Sequence, residues 1–157
     1  MNGTINWLEA KHQESKRSYF VVSFDLRKES YQKILLPDCG EADVNLSNLG
    51  VLRDWLCMIY GHDVWVMKEY GNKESWTKLF TVSYMQGPGK SYTLIKAIYM
   101  FEDEQVLLEY IEPGDSYKKL TVYDPRNGTF KFTNFQNKSV HALEVCVESL
   151  ISPWSYC

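Results

Sequence analysis

The sequence predicts an all-β chain folded as a partial β-propeller. The expected form is an arc of about three four-stranded antiparallel blades plus an extra C-terminal strand, all in one domain over residues 1–157. Three observations carry this. Aromatic residues make up 15% of the chain, and Val, Ile, Thr, Tyr, Phe and Trp gather in short runs parted by Gly, Pro, Asn and Asp, the composition of strands and turns. Three segments read as hairpins of one design, each with a ring early in its return strand. Those rings, Tyr31, Trp76 and Phe130, stand 45 and 54 residues apart, close to the spacing of about 40 to 50 expected of propeller blades.

In chain order, GTINWLEA is an apolar block suited to the inner two strands of a first blade. SYFVVSFDLRKESYQKILLPD follows, with strands expected over Tyr19 to Leu26 and Ser30 to Leu35 and a charged turn at Arg27 and Lys28. NLGVLRDWLCMIYG is ambiguous by itself. Leu49, Leu52, Trp55, Leu56, Ile59 and Tyr60 satisfy the spacing of an amphipathic helix, with Ser47 or Asn48 as its cap. The repeat favours two strands turning at Arg53 and Asp54.

VWVMKEYGNKESWTKLF mixes large rings with charges, which suits a hairpin packed on one face and hydrated on the other. Its strands are expected over Val64 to Glu69 and Ser75 to Val82, with a turn over Tyr70 to Lys73. YTLIKAIYMFEDEQVLLEYI supplies the next inner pair. KKLTVYDPRNGTFKFTNF forms the third hairpin, its turn set by Pro125, which fixes φ, and by Asn127-Gly128, which tolerate positive φ. In HALEVCVESL, Leu143, Val145 and Val147 alternate with Glu144, Cys146 and Glu148, the period of a half-buried strand that would open a fourth unit.

The return strands align. Glu29-Ser30-Tyr31-Gln32-Lys33-Ile34 matches Glu74-Ser75-Trp76-Thr77-Lys78-Leu79, and Gly128-Thr129-Phe130-Lys131-Phe132 keeps the same order. Trp7, Tyr31, Trp55, Trp65, Trp76 and Phe130 are expected to pack between blades, since each ring buries about 150 to 250 Å².

Composition excludes several function classes. Net charge is −3, with Lys and Arg interspersed among Asp and Glu, so no basic stripe awaits a nucleic acid. No apolar run approaches the roughly 20 residues of a membrane span. Cys39, Cys57, Cys146 and Cys157 show no C-x-x-C pairing, and no signal-peptide pattern follows Met1. The expectation is an intracellular protein of the cytoplasm or nucleus with buried thiols.

Chemistry-bearing motifs are weak. GPGKS ends like a phosphate loop, but Tyr84 stands where that loop needs glycine. Glu102, Asp103 and Glu104 are consecutive, so a strand would point them to opposite faces, and a solvated turn is expected. His12, His62 and His141 are far apart, and no nucleophile elbow is visible. No catalytic residue, metal ligand or cofactor is expected.

NGTINWL, VVSFDLRKESYQKILLPD, LGVLRDWLCMIY, VWVMKEYGNKESWTKLFTV, LTVYDPRNGTFKF and VESLISP occur in this order over nearly the whole chain. Together they resemble the F-box-associated domain of plant F-box proteins, the kelch-like group, and in particular its C-terminal portion. The resemblance implies a non-catalytic, protein-binding module that captures the substrate protein of a ubiquitin ligase. The ligase adaptor would be reached only through an F-box, which is not seen before NGTINWL.

Loops that share one face of such an arc are Lys11 to Lys16, Pro37 to Asp43, Gly61 to Asp63, Gln86 to Lys90 and Glu112 to Tyr117. Partner contacts are expected there, led by Asp38, Glu41, His62, Asp63, Gln86 and Asp115. The alternatives are a propeller-type hydrolase acting on carbohydrates or esters, and a truncated gene product without independent function.

Overall fold

A computed structural model describes residues 3–13, 16–37, 46–83 and 92–137. These form eleven strands in three antiparallel sheets, with no α-helix among the described residues. Sheet 1 holds β1 (Thr4–Gln13), β2 (Lys16–Asp25) and β3 (Ser30–Leu35). Sheet 2 holds β4 (Leu46–Leu52), β5 (Trp55–Tyr60), β6 (Asp63–Met67) and β7 (Trp76–Thr81). Sheet 3 holds β8 (Thr93–Met100), β9 (Val106–Ile111), β10 (Lys118–Asp124) and β11 (Thr129–Asn137). Strands adjacent in sequence are neighbours in every sheet, the up-and-down order of propeller blades.

The ambiguous segment is two strands. Leu52 pairs with Trp55 and Val51 with Leu56, so the chain reverses at Arg53-Asp54, with Arg53 at a φ of 54°. Cys57 and Ile59 pack toward sheet 3 while Leu56 and Met58 pack toward sheet 1, which explains why both faces are apolar and a helical period could be read into them.

The first blade departs from expectation. GTINWLEA is a single strand, not two, because β1 runs unbroken through ten residues and pairs along its length with β2. Sheet 1 therefore has three strands among the described residues, lacking the innermost strand that β4 and β8 provide to the other sheets. The expected strand within residues 141–150 lies outside the described residues.

Two seams join the sheets. Between sheets 1 and 2, Val21 and Ile34 meet Leu56, Met58, Met67 and Trp76. Between sheets 2 and 3, Val64, Val66 and Ile59 meet Val106, Leu108 and Tyr123. A hydrogen bond recurs at each seam. The Trp76 indole N–H donates to the Leu35 carbonyl at 3.1 Å, and the Tyr123 hydroxyl donates to the Thr81 carbonyl at 3.2 Å. In both cases the acceptor is the last residue of the preceding sheet's outermost strand. This satisfies backbone oxygens that the ladder leaves at the strand ends.

The hairpin rings occupy matching registers. Tyr31 pairs with Phe24, Trp76 with Met67 and Phe130 with Tyr123. Their burial differs, however. Trp76 is 8% exposed and Phe130 packs onto the core between sheets 2 and 3, whereas Tyr31 is 71% exposed and Trp7 38%. The expectation that all six rings fill inter-blade seams fails for these two. They lie on the face of sheet 1 turned away from sheet 2, where no described sheet covers them, and they meet each other edge-on at 6.2 Å.

Candidate functional site

The expected contact face is the end of the arc where the middle strands of each blade turn. In sheet 2 the turn is Gly61-His62, closing the Tyr60–Asp63 pair. Gly61 takes a φ of 60°, as the first central residue of a type II′ hairpin requires. In sheet 3 the corresponding connection is residues 112–117, between β9 and β10.

Tyr92, just before β8, links the two. Its ring meets His62 edge-on at 5.1 Å and Tyr110 at 6.3 Å, and its hydroxyl donates to the Ser83 carbonyl at 2.5 Å. The His62 carbonyl in turn accepts the Val82 N–H at 2.8 Å. The loop end is thus a packed platform with side chains fixed from both sheets.

Three of the six expected contact residues can be placed. His62 is half-buried against Tyr92. Asp63 begins β6, and its carboxylate accepts from the Thr81 hydroxyl at 2.5 Å and pairs with Lys78 at 3.3 Å. Asp115 accepts the Tyr117 N–H at 3.1 Å and pairs with Lys119 at 2.9 Å. Lys119 also reaches Glu112 at 2.9 Å, so one ammonium ties together both ends of the β9–β10 loop.

The Lys119 ammonium holds the Asp115 carboxyl below its ordinary range, helped by the Tyr117 N–H, and the two carboxylates raise Lys119. Asp38, Glu41 and Gln86 lie outside the described residues. The loop expected over Lys11 to Lys16 is mostly strand, because β1 runs to Gln13 and β2 begins at Lys16.

A second concavity was not signalled by any motif. A polar groove of about 400 Å³ lies where the β2–β3 turn meets sheet 2, lined by Thr4, Ser23, Asp25, Lys28, Ser30, Gln32 and Tyr70. Tyr70 anchors it. Its hydroxyl donates to Asn6 Oδ1 at 2.5 Å and lies within hydrogen-bond range of Ser23 Oγ at 2.5 Å and Thr4 Oγ1 at 3.2 Å. Beside these hydroxyls and amides the lining holds one charged pair, Asp25 and Lys28, 3.9 Å apart. Period-2 alternation could have placed Asn6 and Ser23 on one face, but their meeting with Tyr70 depends on how two sheets dock.

Among the described residues no group of three or more His, Cys, Asp or Glu could hold a metal ion. Glu102, Asp103 and Glu104 form the exposed turn between β8 and β9, as expected. Cys57 is buried, and burial pushes its thiol up to about 12. No described helix is long and apolar enough to cross a membrane.

The model of the F-box associated beta propeller domain matches residues 1–153. The chain belongs to this family. An F-box protein of Arabidopsis thaliana is 30% identical over 151 residues, covering 83% of this chain and 35% of the relative. An F-box/kelch-repeat protein of the same plant is 28% identical over 159 residues, covering 98% of this chain and 40% of the relative. The Arabidopsis F-box protein CPR1 is 27% identical over 158 residues, covering 94% of this chain and 37% of the relative. This F-box associated chain therefore spans between 35% and 40% of the length of these curated relatives. No solved structure matches it.

Proposed function

We propose that the chain is a non-catalytic protein-binding module, serving the part of an F-box ubiquitin ligase receptor that captures the protein to be ubiquitinated. The observation that carries this reading is the family match over residues 1–153 together with relatives named as F-box proteins. The platform around His62, Tyr92 and the 112–117 loop is the proposed contact surface, with Asp38, Glu41, Asp63, Gln86 and Asp115 as further contacts. Three features support this choice. It is built from two neighbouring sheets, its loops are braced by Lys119 and by the Val82–His62 bond, and the half-buried His62 ring, backed by the buried Tyr92, stands near charged groups. Rings and charges on a fixed scaffold are what protein recognition uses.

The test compares the immobilised wild-type chain with a variant carrying His62→Ala, Asp115→Ala and Tyr117→Ala in capture from plant extract, with bound proteins identified by mass spectrometry. A reproducible set retained by the wild type and lost by the variant, with a cooperative thermal melt retained well above the assay temperature, supports the reading. Identical sets from both chains would remove the platform from the binding surface. Catalytic turnover by the purified chain on carbohydrate or ester substrates would replace the module reading altogether.

A further inference from the structure

Asn-Gly occurs twice in the sequence, at Asn2-Gly3 and Asn127-Gly128, and the second pair lies in the β10–β11 turn. Asparagine is thermally labile, and most so in this setting. The nitrogen of the following residue attacks the side-chain amide, and glycine has no side chain to block the approach. Two conditions must be met first. The Gly128 N–H must lose its proton, and the Asn127 carboxamide must swing until its Cγ faces that nitrogen.

The turn opposes both. Gly128, at a φ of 69°, donates its N–H to the Asp124 carbonyl at 2.9 Å, so the nitrogen is engaged and its proton shielded. The carboxamide is held at both ends. Its Oδ1 accepts the Thr129 N–H at 3.1 Å and the Thr129 hydroxyl at 2.6 Å, while its Nδ2 donates to Asp124 Oδ2 at 3.4 Å. Asp124 is fixed in turn, because Arg126 donates to both of its oxygens, at 3.0 and 2.8 Å. All of these contacts lie within residues 124–129, so the restraint belongs to the turn itself. Asn127 is exposed, and water reaches it as soon as the turn opens.

We propose that Asn127 is a site of spontaneous deamidation that the folded β10–β11 turn holds in check. In the first step the deprotonated Gly128 nitrogen bonds to Asn127 Cγ and the Cγ–Nδ2 bond breaks. The amide nitrogen leaves as ammonia, carrying the proton that Gly128 gave up, and a cyclic imide remains. Solvent water then opens the imide. Breaking the new Cγ–nitrogen bond leaves aspartate. Breaking the bond between the main-chain carbonyl carbon of Asn127 and the Gly128 nitrogen leaves isoaspartate, with the chain running through the side chain. Nothing is oxidised or reduced; one water is consumed and one ammonia released.

Either product acts beyond the turn. The Gly128 carbonyl accepts the Ser83 hydroxyl at 3.2 Å, and the Ser83 N–H donates to the Tyr123 hydroxyl at 3.2 Å. The Ser83 carbonyl accepts from Tyr92, whose ring backs His62. A carboxylate in place of the Asn127 amide stands against the Asp124 carboxylate, and the extra methylene of isoaspartate displaces the Gly128 carbonyl from Ser83. Conversion thus loosens the tie between sheets 2 and 3. This chemistry is independent of whether the loop platform binds a partner.

The test incubates the full chain in mild alkali and follows Asn127 by peptide mapping with mass spectrometry, with a free RNGTF peptide as reference. Conversion is expected to be about tenfold or more slower in the folded chain than in the peptide, and to match the peptide once urea unfolds the chain. Thr129→Val removes the hydroxyl donor and keeps the N–H; Asp124→Ala frees the Nδ2 end. Each, with a cooperative melt retained, is expected to convert about threefold or more faster than the wild type. Asn127→Asp, which stands in for one product, is expected to lower the melting temperature by about 2 to 4 °C. Conversion in the folded wild type as fast as in the peptide would overturn the proposal, and so would unchanged rates in both turn variants. An Asn127→Asp chain that melts with the wild type would overturn the loosening of the seam.

Discussion

The indole N–H of Trp76 reaches 41 residues back along the chain to the carbonyl of Leu35, at 3.1 Å. Tyr123 makes the matching bond to Thr81 one sheet later. A ring at the hairpin of one sheet thus closes the outer strand of the sheet before it: the acceptor position repeats, while the donor moves from the return strand (Trp76) to the cross-strand partner of the equivalent ring (Tyr123, paired with Phe130).

Trp76→Phe keeps a ring in the seam and removes the donor. It is expected to lower stability by about 1 to 3 kcal/mol, the cost of leaving the Leu35 carbonyl unpaired plus a small loss of packing. Trp76→Ala removes the ring itself and is expected to cost about 3 to 5 kcal/mol. Denaturant titration of both variants separates the two contributions, and an unchanged stability in Trp76→Phe would show that the hydrogen bond contributes nothing.

Tyr70→Phe removes the hydroxyl shared by Asn6, Ser23 and Thr4 and is expected to destabilise by about 1 to 3 kcal/mol, because those groups lose a common partner in a partly buried site. The loss should shrink in the Tyr70→Phe, Ser23→Ala double variant if the two side chains act on each other. A double-mutant cycle by chemical denaturation reads this coupling.

Acid should weaken the fold through three turn carboxylates. Asp25 is lowered by the Lys28 and Arg27 N–H groups, Asp115 by Lys119, and Asp124 by the Arg126 side chain. Each folded-state value lies below the ordinary 3.8, so the contribution is fully present above that pH and is lost as pH falls through the depressed values. Lys119 has the opposite sign. Raised above its ordinary 10.5, it contributes fully below that pH and loses its contribution in stronger alkali. Melting temperature measured against pH should fall below about 4, and Asp115→Asn should flatten part of that acid limb.

Cys57 should resist alkylation in the folded chain. Burial raises its thiol to about 12, so the reactive thiolate is scarce near neutral pH, and the sulfur lies between sheets 2 and 3. In a variant with Cys39, Cys146 and Cys157 changed to Ser, iodoacetamide labelling should follow unfolding. Rapid labelling of the native state would contradict the seam placement.

Much of the fold was legible because the hairpins announce themselves locally. Asp25 and Ser30 flank one turn and Asp124 and Thr129 another, and in both the aspartate accepts N–H groups of the turn that follows it. The 49–60 segment needed the repeat to choose between periods, since both of its faces are buried.

The exposure of Trp7 and Tyr31 was not legible, because a side chain's pattern reports which face it shares and not what stands across from it. The contact residues were harder still. Asp63 and Asp115 read as free loop charges until the fold brings Lys78 and Thr81 to one and curls Lys119 back onto the other. That GTINWLEA is one strand and not two was likewise not legible.

The uninterrupted up-and-down order has a kinetic consequence. Every described strand pair joins neighbours in sequence, so the entropy of closing each ladder is that of a short turn, and contact order is low for an all-β chain. Folding should be faster than in a sandwich of similar size. The slow event should be docking onto sheet 2, the one sheet with both faces covered among the described residues, which makes Trp76 and Val66 the positions where substitutions are expected to slow refolding most.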